Sequence, residues 1–351
     1  MRSSEGNNLA AIEKALAGTL ERVPFVSAVE TQREAPDRGI DLSVRLRLPR
    51  GRQAQILVEA KSSGEPRVVR EAINQVLRYR AARPNAYAVI AAPYISPRSA
   101  ELCAAEGLGY LDLAGNCRLS FGDVYIEVGG RPNPFAERRD LRTLYSPRAS
   151  RVVRVLLLDP KRTWRVQDLA KAAEVSIGLA SRVKARLADR EWLRLEEDGC
   201  GLAQPRQLLD EWAGSYSFRK NVVNDYFSLL GVTEIEARLA EVCDRRQWVY
   251  ALTGFSGATR LVSAVRYNRV QAFVGAGLDE LPGLLDLKPV TSGANVSLLA
   301  PFDAGVFAGA RTIDGIRVVS PVQLYLDLKS FRGRGEEAAQ ALLEQVMEPS
   351  W

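Results

Sequence analysis

The sequence predicts a multidomain α/β protein in which a small helical module sits between two α/β regions. Three observations carry this prediction. Residues 7–128 run through a helix, three strands, a helix, a strand, a second helix and further strands, judged by where apolar residues recur every 3.6 positions or every two. Between Pro147 and Cys200, helical stretches follow one another across very short connections and end in a hairpin. Beyond Trp248, short apolar runs alternate with helical stretches again. A chain of 351 residues is long enough for two or three domains, each burying its own core. The expected division is an α/β domain over 1–130, a linker over 131–146, a helix-turn-helix with a wing over 147–203, a helical connector over 204–232 and an α/β domain over 233–351.

The first helix is expected from Asn7 to Glu21, with Leu9, Ile12, Leu16 and Leu20 on one side. Strands follow near 25–31, 40–48 and 54–61, then a helix over 66–82 and a strand over 87–92. A helix over 97–106 leads to strands near 110–113, 117–120 and 124–128. Three local patterns carry chemistry. Gly39-Ile40-Asp41 puts a carboxylate at the start of the second strand. Glu59-Ala60-Lys61 puts Glu59 and Lys61 on one strand face, because alternate residues share a face. Gln75 and Tyr79 share one face of the next helix. Taken singly, each is also what a solvated strand or helix face looks like. In this element order they resemble the PD-(D/E)XK nuclease-like fold. That resemblance implies Asp41 and Glu59 as Mg²⁺ ligands, with Lys61 and Gln75 beside them, and phosphodiester hydrolysis as the chemistry. Fold does not fix activity, and such a domain could equally be kept for DNA contact or for a partner. Glu13 and Glu21 are further acids on the first helix, more simply read as surface charges. Asn116, in Leu113-Ala114-Gly115-Asn116, reads as a turn residue.

In the central module, Val152, Val153, Leu156 and Leu157 make an apolar helix that Asp159-Pro160 ends. Trp164 and Val166 lead into a second helix over 167–173. Glu174-Val175-Ser176 makes a tight turn, and Ser176 is placed to cap a third helix, Ile177 to Arg190. Ala180, Val183 and Leu187 form the inward stripe of that helix. Ser176, Ile177, Ser181, Arg182, Lys184 and Arg186 are the expected DNA contacts, short or cationic side chains that can reach base edges and phosphates. A hairpin from Trp192 to Leu202 forms the wing. The alternative is a helical hairpin with a solvated basic face. Leu169-Ala170, Val175-Ser176 and Ser181-Arg182-Val183 resemble the winged helices of MarR-like regulators. The wing tip Glu196-Glu197-Asp198 departs from that pattern, since acids repel phosphate.

Helices are expected over 205–214, 220–230 and 233–244, with Tyr216, Phe218, Tyr226 and Phe227 as an aromatic seam. Strands follow at 248–252, 270–274, 296–300 and near Val306 and Val318, with helices over 258–265, 321–331 and 336–347. The Gly254-Phe255-Ser256-Gly257 turn resembles the Gly-Ser entry of nucleotidyltransferase folds, but strand 270–274 has no paired acids to hold a metal, so this domain is read as non-catalytic.

Composition narrows the chemistry. There is no histidine, which excludes a histidine base, a Ser-His-Asp triad and any histidine-bearing zinc site. The four cysteines are far apart, without a C-x-x-C pair, and no signal peptide or long apolar run is apparent. A reducing cytoplasm and no membrane partner are expected. Residues 131–194 hold 16 Lys and Arg against 7 Asp and Glu, whereas the rest of the chain is slightly acidic. The basic excess therefore falls on the helix-turn-helix and its approach, including Arg138, Arg139 and Arg142, and favours nucleic acid.

Leu252-Thr253-Gly254, Ala300-Pro301-Phe302-Asp303 and the stretch Val319 to Leu328 resemble the AbiEi-type regulators of type IV toxin–antitoxin systems. The resemblance covers about the second half of the chain and implies a sequence-specific DNA-binding transcriptional regulator that represses its own operon. Double-stranded DNA is then the main partner, with a homodimer and a toxin or other phage-defence protein as further candidates. No enzymatic activity and no cofactor are expected on this reading. The alternative is a Mg²⁺-dependent DNA endonuclease targeted by its own winged helix. The N-terminal extension departs from the family's pattern and puts a strict antitoxin role in question.

Overall fold

The computed structural model describes residues 2–33, 40–134, 144–262 and 266–351. Gly39, Arg138, Arg139, Arg142 and Val265 lie outside these. The chain divides into two compact units, Met1–Arg138 with Ala188–Glu191, and Arg139–Leu187 with Trp192–Trp351.

The first unit is built on one seven-stranded sheet whose spatial order is the sequence order: β1 (Ser27–Arg33), β2 (Leu42–Arg47), β3 (Gln53–Ala60), β4 (Ala86–Ala92), β5 (Gly109–Asp112), β6 (Cys117–Phe121) and β7 (Val124–Val128). The central pairs β3–β4 and β4–β5 are parallel, because helices α2 (Pro66–Ala81) and α3 (Pro97–Ala105) form their crossovers. The outer pairs are antiparallel. Side chains alternate across the sheet. Val89 and Ala91 join Leu42, Val44, Ile56 and Val58 under α1 (Arg2–Glu21), which contributes Ile12, Leu16 and Leu20. Ala88, Ile90 and Ala92 face the other way, against Val69, Ala72 and Val76 of α2 and Cys103 of α3. Leu57 contacts Tyr79 of α2, so Glu59 and Lys61 at the same parity share the α2 face of the sheet.

The second unit opens with α4 (Pro147–Leu158), α5 (Val166–Ala172) and α6 (Ile177–Asp189), then the antiparallel hairpin β8 (Leu193–Glu196) and β9 (Gly199–Leu202). Helix α7 (Pro205–Ser215) leads into a second seven-stranded sheet, ordered β13 (Lys288–Pro289), β10 (Val222–Phe227), β14 (Val296–Ala300), β12 (Val270–Val274), β11 (Tyr250–Leu252), β16 (Ile316–Val318) and β15 (Arg311–Ile313). Helices α8 (Val232–Arg246), α9 (Gly254–Ala258), α10 (Leu281–Leu284), α11 (Pro321–Lys329) and α12 (Arg334–Leu342) complete it.

Three elements differ from the sequence expectation. The helix expected over 220–230 is strand β10, whose Val222, Val223 and Tyr226 pair with β14; β-branched and aromatic residues suit the pleated ladder. The strand expected at Val306 is a 3-10 turn, Ala304–Phe307, started by Asp303 accepting the Gly305 amide at 2.8 Å. Gly254 to Gly257 is not a free turn but the body of α9, which ends at Ala258 instead of beginning there. The segment expected to be a helical connector therefore supplies a sheet strand. Moreover, Val153 and Leu156 of α4, Val183 and Leu187 of α6, Trp212 of α7, Phe273 of β12 and Leu324 of α11 belong to one continuous core.

Candidate nucleic-acid interface

Helix α6 is placed by its own turn. After α5, Glu174 takes a left-handed conformation (φ 52°), and the Val175 amide donates to the Ala170 carbonyl at 3.0 Å. Ser176 then starts α6, its Oγ accepting the Leu179 amide at 3.3 Å. Ala180, Val183 and Leu187 are buried, which fixes the rotation of the helix. The opposite face carries Ser176, Ile177, Gly178, Ser181, Arg182 and Ala185, all exposed. Gly178, Ser181 and Ala185 are small, so this face is low, and Arg182 is its one long cationic side chain. Lys184 and Arg186 are half-buried and flank the inward stripe instead of centring the outward one.

The hairpin is tied to the residues before α5. Trp164 and Cys200 exchange backbone hydrogen bonds at 2.8 and 3.0 Å, and a Cβ on Gly199 would lie 2.6 Å from the Trp164 carbonyl oxygen, so only glycine fits there. Its acids have local partners: Thr163 donates to Glu196 at 2.8 Å, and Arg165 reaches Asp198 at 3.4 Å. These contacts are exposed and worth little energetically, but the second places one cation, Arg165, beside the acidic tip.

Two arginines within the basic stretch face inward. Arg151 of α4 makes a two-pronged ion pair with Asp303, at 2.8 and 3.0 Å. Arg154 is 3% exposed and donates from Nη2 to Gln323 Oε1 of α11 at 2.7 Å, with its guanidinium 5.0 Å from the Trp212 ring centre. Gln323 Nε2 donates to Asp327 Oδ1 at 2.8 Å, and the Tyr216 and Thr253 hydroxyls donate to the same carboxylate at 2.5 Å. Burial raises the Asp327 carboxyl to about 6 against these donors, and burial lowers Arg154 to about 10, still protonated at neutral pH. Charge counting alone missed these structural roles. The signal available was an arginine embedded in the apolar run Val152 to Leu158.

In the first unit, Lys61 Nζ lies 2.6 Å from Glu59 Oε1 and 3.3 Å from Gln75 Oε1. Asp41 borders the cluster, its Oδ2 accepting the Ala60 amide at 2.8 Å. Glu59 is buried, and its second oxygen, Oε2, has no hydrogen bond. Burial raises its pKa; the Lys61 hydrogen bond opposes this and the nearby Asp41 charge adds to it. Two carboxylates with one orphaned, buried oxygen are a donor set that fits a hard cation such as Mg²⁺. Among the described residues no group of three or more His, Cys, Asp or Glu is placed to hold a metal. Glu13 is not a third ligand here, being held by Thr31 at 2.6 Å and by Arg33. Asn116 closes its turn structurally, donating with its Asp112-bound amide groups at 2.8 Å. The four cysteines are buried and free, and burial pushes Cys103 and Cys243 up to about 12, which leaves them unreactive thiols. Among the described residues no helix is long and apolar enough to cross a membrane.

No curated protein matches the chain. The structure titled "Structure of EndoMS-dsDNA2 complex" is similar at 19% identity and a TM-score of 0.21, over 29% of this chain and 44% of that one, so the chain spans less than half of its length. Residues 201–348, somewhat under half of the chain, match the AbiEi_2 family, described as transcriptional regulator, AbiEi antitoxin, type IV toxin–antitoxin system.

Proposed function

We propose that the protein is a sequence-specific DNA-binding regulator of the AbiEi antitoxin type, with residues 147–203 acting as a winged helix. The observation that carries the reading is the outward face of α6, where Ser181 and Arg182 stand among the small residues Gly178 and Ala185. A low face lets a helix enter the major groove, and a single arginine at its centre can contact a guanine through two hydrogen bonds. Ser176 and Ile177 lie at the helix start, nearest the bases in this docking mode, while Lys184 and Arg186 reach the flanking phosphates. The family match over 201–348 supports transcriptional regulation and a toxin as the protein partner.

The test is binding to an operator selected from random duplexes. Arg182→Ala is expected to cost about 1–3 kcal/mol on the selected site and to relax the preference at one base position. Unchanged affinity and unchanged base preference in Arg182→Ala would remove α6 as the reading helix.

A second reading, a Mg²⁺-dependent deoxyribonuclease, is favoured by one observation: Glu59 Oε2 is buried without a partner beside Lys61. Asp41 and Glu59 would hold the ion, which supplies Lewis-acid stabilisation of phosphate charge. Lys61 and Gln75 would orient the groups around it.

A further inference from the structure

Another cationic site lies in the second unit, where α9 and the segment joining α11 to α12 meet the start of β12. A hollow of about 370 Å³ is lined by Arg266, Arg269, Arg334, Phe255, Phe331 and Gln271, with Tyr267 and Asn268 at its rim. Two of the three guanidinium groups are held in place by single hydrogen bonds to carbonyl oxygens. Arg269 Nε donates to Ala294 at 3.0 Å, and Arg334 Nη2 donates to the Arg266 carbonyl at 2.6 Å. Each of these arginines keeps further N–H groups for a ligand. Asp225 lies 3.8 Å from Arg269 Nη2 and already accepts the Ser297 hydroxyl at 2.7 Å. No Asp or Glu lines the hollow. Arg266 and Arg334 have no carboxylate partner among the described residues.

The apolar part is equally defined. The Phe255 and Phe331 rings are 5.7 Å apart and half-buried, and the Arg334 guanidinium stands 5.7 Å from the Phe255 ring centre. Gln271 is buried beneath them, its Oε1 accepting the Phe255 amide at 3.3 Å. Gly254, with φ 55°, makes this floor possible, since a Cβ there would sit 2.2 Å from Gln271 Oε1.

We propose that this hollow binds a nucleotide. Its phosphates would sit among Arg266, Arg269 and Arg334, and its base against the two phenylalanine rings. Fixed guanidinium groups suit phosphate because they donate two parallel hydrogen bonds and stay charged at any working pH. An aromatic wall beside them adds a surface for a flat base, and the volume is that of a small-molecule site. DNA could supply the same phosphate chemistry, and the experiment separates the two sources.

The test is isothermal titration of the full chain with ATP, adenosine and inorganic pyrophosphate, repeated after saturation with a short duplex. Binding of ATP, competition by pyrophosphate and no detectable binding of adenosine are expected. Arg266→Ala and Arg334→Ala should each weaken ATP by about ten-fold or more, with unchanged melting because both side chains are exposed. Arg245→Ala, an exposed arginine on α8, should leave ATP affinity unchanged. ATP and pyrophosphate both failing to bind at millimolar concentration would overturn the proposal. So would equal ATP affinity in the two pocket variants, or displacement of ATP by the duplex, which would give the site to DNA.

Discussion

Arg154 of α4 and Asp327 of α11 are opposite charges buried in one network and joined through a single carboxamide, that of Gln323. Its oxygen accepts from the arginine at 2.7 Å and its nitrogen donates to the carboxylate at 2.8 Å. A carboxamide is a neutral group with an acceptor at one end and donors at the other, so it can satisfy a cation and an anion at once. The helix that opens the proposed winged helix is thereby fastened to the α/β region through polar contacts as well as apolar packing.

Removing the cation should be costly. Arg154→Ala leaves Gln323 Oε1 and the Asp327 charge uncompensated in a dry interior, and a loss of about 3–5 kcal/mol is expected. Chemical denaturation of the full chain measures it. Arg154→Met, which replaces the guanidinium beside Trp212 but keeps a long apolar side chain in the buried space, should lose less than the alanine variant. Equal loss in both would mean that the charge and its hydrogen bond, and not packing, are what Arg154 contributes.

Asp327 makes stability pH-dependent in a predictable direction. Its carboxyl is raised from an ordinary value near 3.8 to about 6, so the folded state holds the proton more tightly than the unfolded chain. The stability this gives is complete below about pH 4 and is lost as pH rises through 6. A shift of that size corresponds to roughly 3 kcal/mol across the window. The difference in unfolding free energy between wild type and Asp327→Asn should therefore change between pH 4.5 and pH 7.5, in favour of wild type at the lower value. A pH-independent difference would show that Asp327 does not titrate there.

Salt should weaken DNA binding steeply, though less than a count of the basic stretch suggests, because Arg151 and Arg154 are committed inside the protein. On the order of four to eight phosphates neutralised gives a slope of log K on log salt of about −4 to −7. A nearly flat dependence measured by fluorescence anisotropy would contradict an electrostatic role for this region.

The Glu59 cluster separates the two functional readings. With Mg²⁺ or Mn²⁺ we expect no cleavage of single- or double-stranded DNA, and Glu59→Gln should leave operator affinity unchanged. Metal-dependent cutting that disappears in Glu59→Ala and Lys61→Ala would reverse the order in which the readings stand.

Much of the architecture was legible because periodicity reports burial directly. The stripes Ala180, Val183, Leu187 and Ile12, Leu16, Leu20 are buried as their spacing predicts, and Glu59, Lys61 and Gln75 meet because parity and helical spacing put them on facing surfaces. The misread parts depend on information outside the local window. Val222 to Phe227 has a pattern that a helix could also carry, and only pairing with β14 decides for strand. Arg151 and Arg154 added to a basic count that carries no direction, while their partners Asp303 and Gln323 lie some 150 residues or more further along the chain. Likewise the cations around Phe255 and Phe331 are scattered between Arg266 and Arg334 and converge only when β12 and α11 are assembled.

The continuous core has a consequence for how such a protein can be re-targeted. DNA-binding modules that fold alone can be exchanged between proteins like interchangeable parts. Here Leu156, Val183, Trp212, Phe273 and Leu324 pack as one body, so a breakpoint after residue 203 would expose apolar surface on both fragments. A transplanted module would have to match that inner surface, including an arginine for Gln323. On the proposed reading, new operator preferences would come from substitution on the outward face of α6, where the exposed Ser181, Arg182 and Ala185 can vary without reshaping the interior.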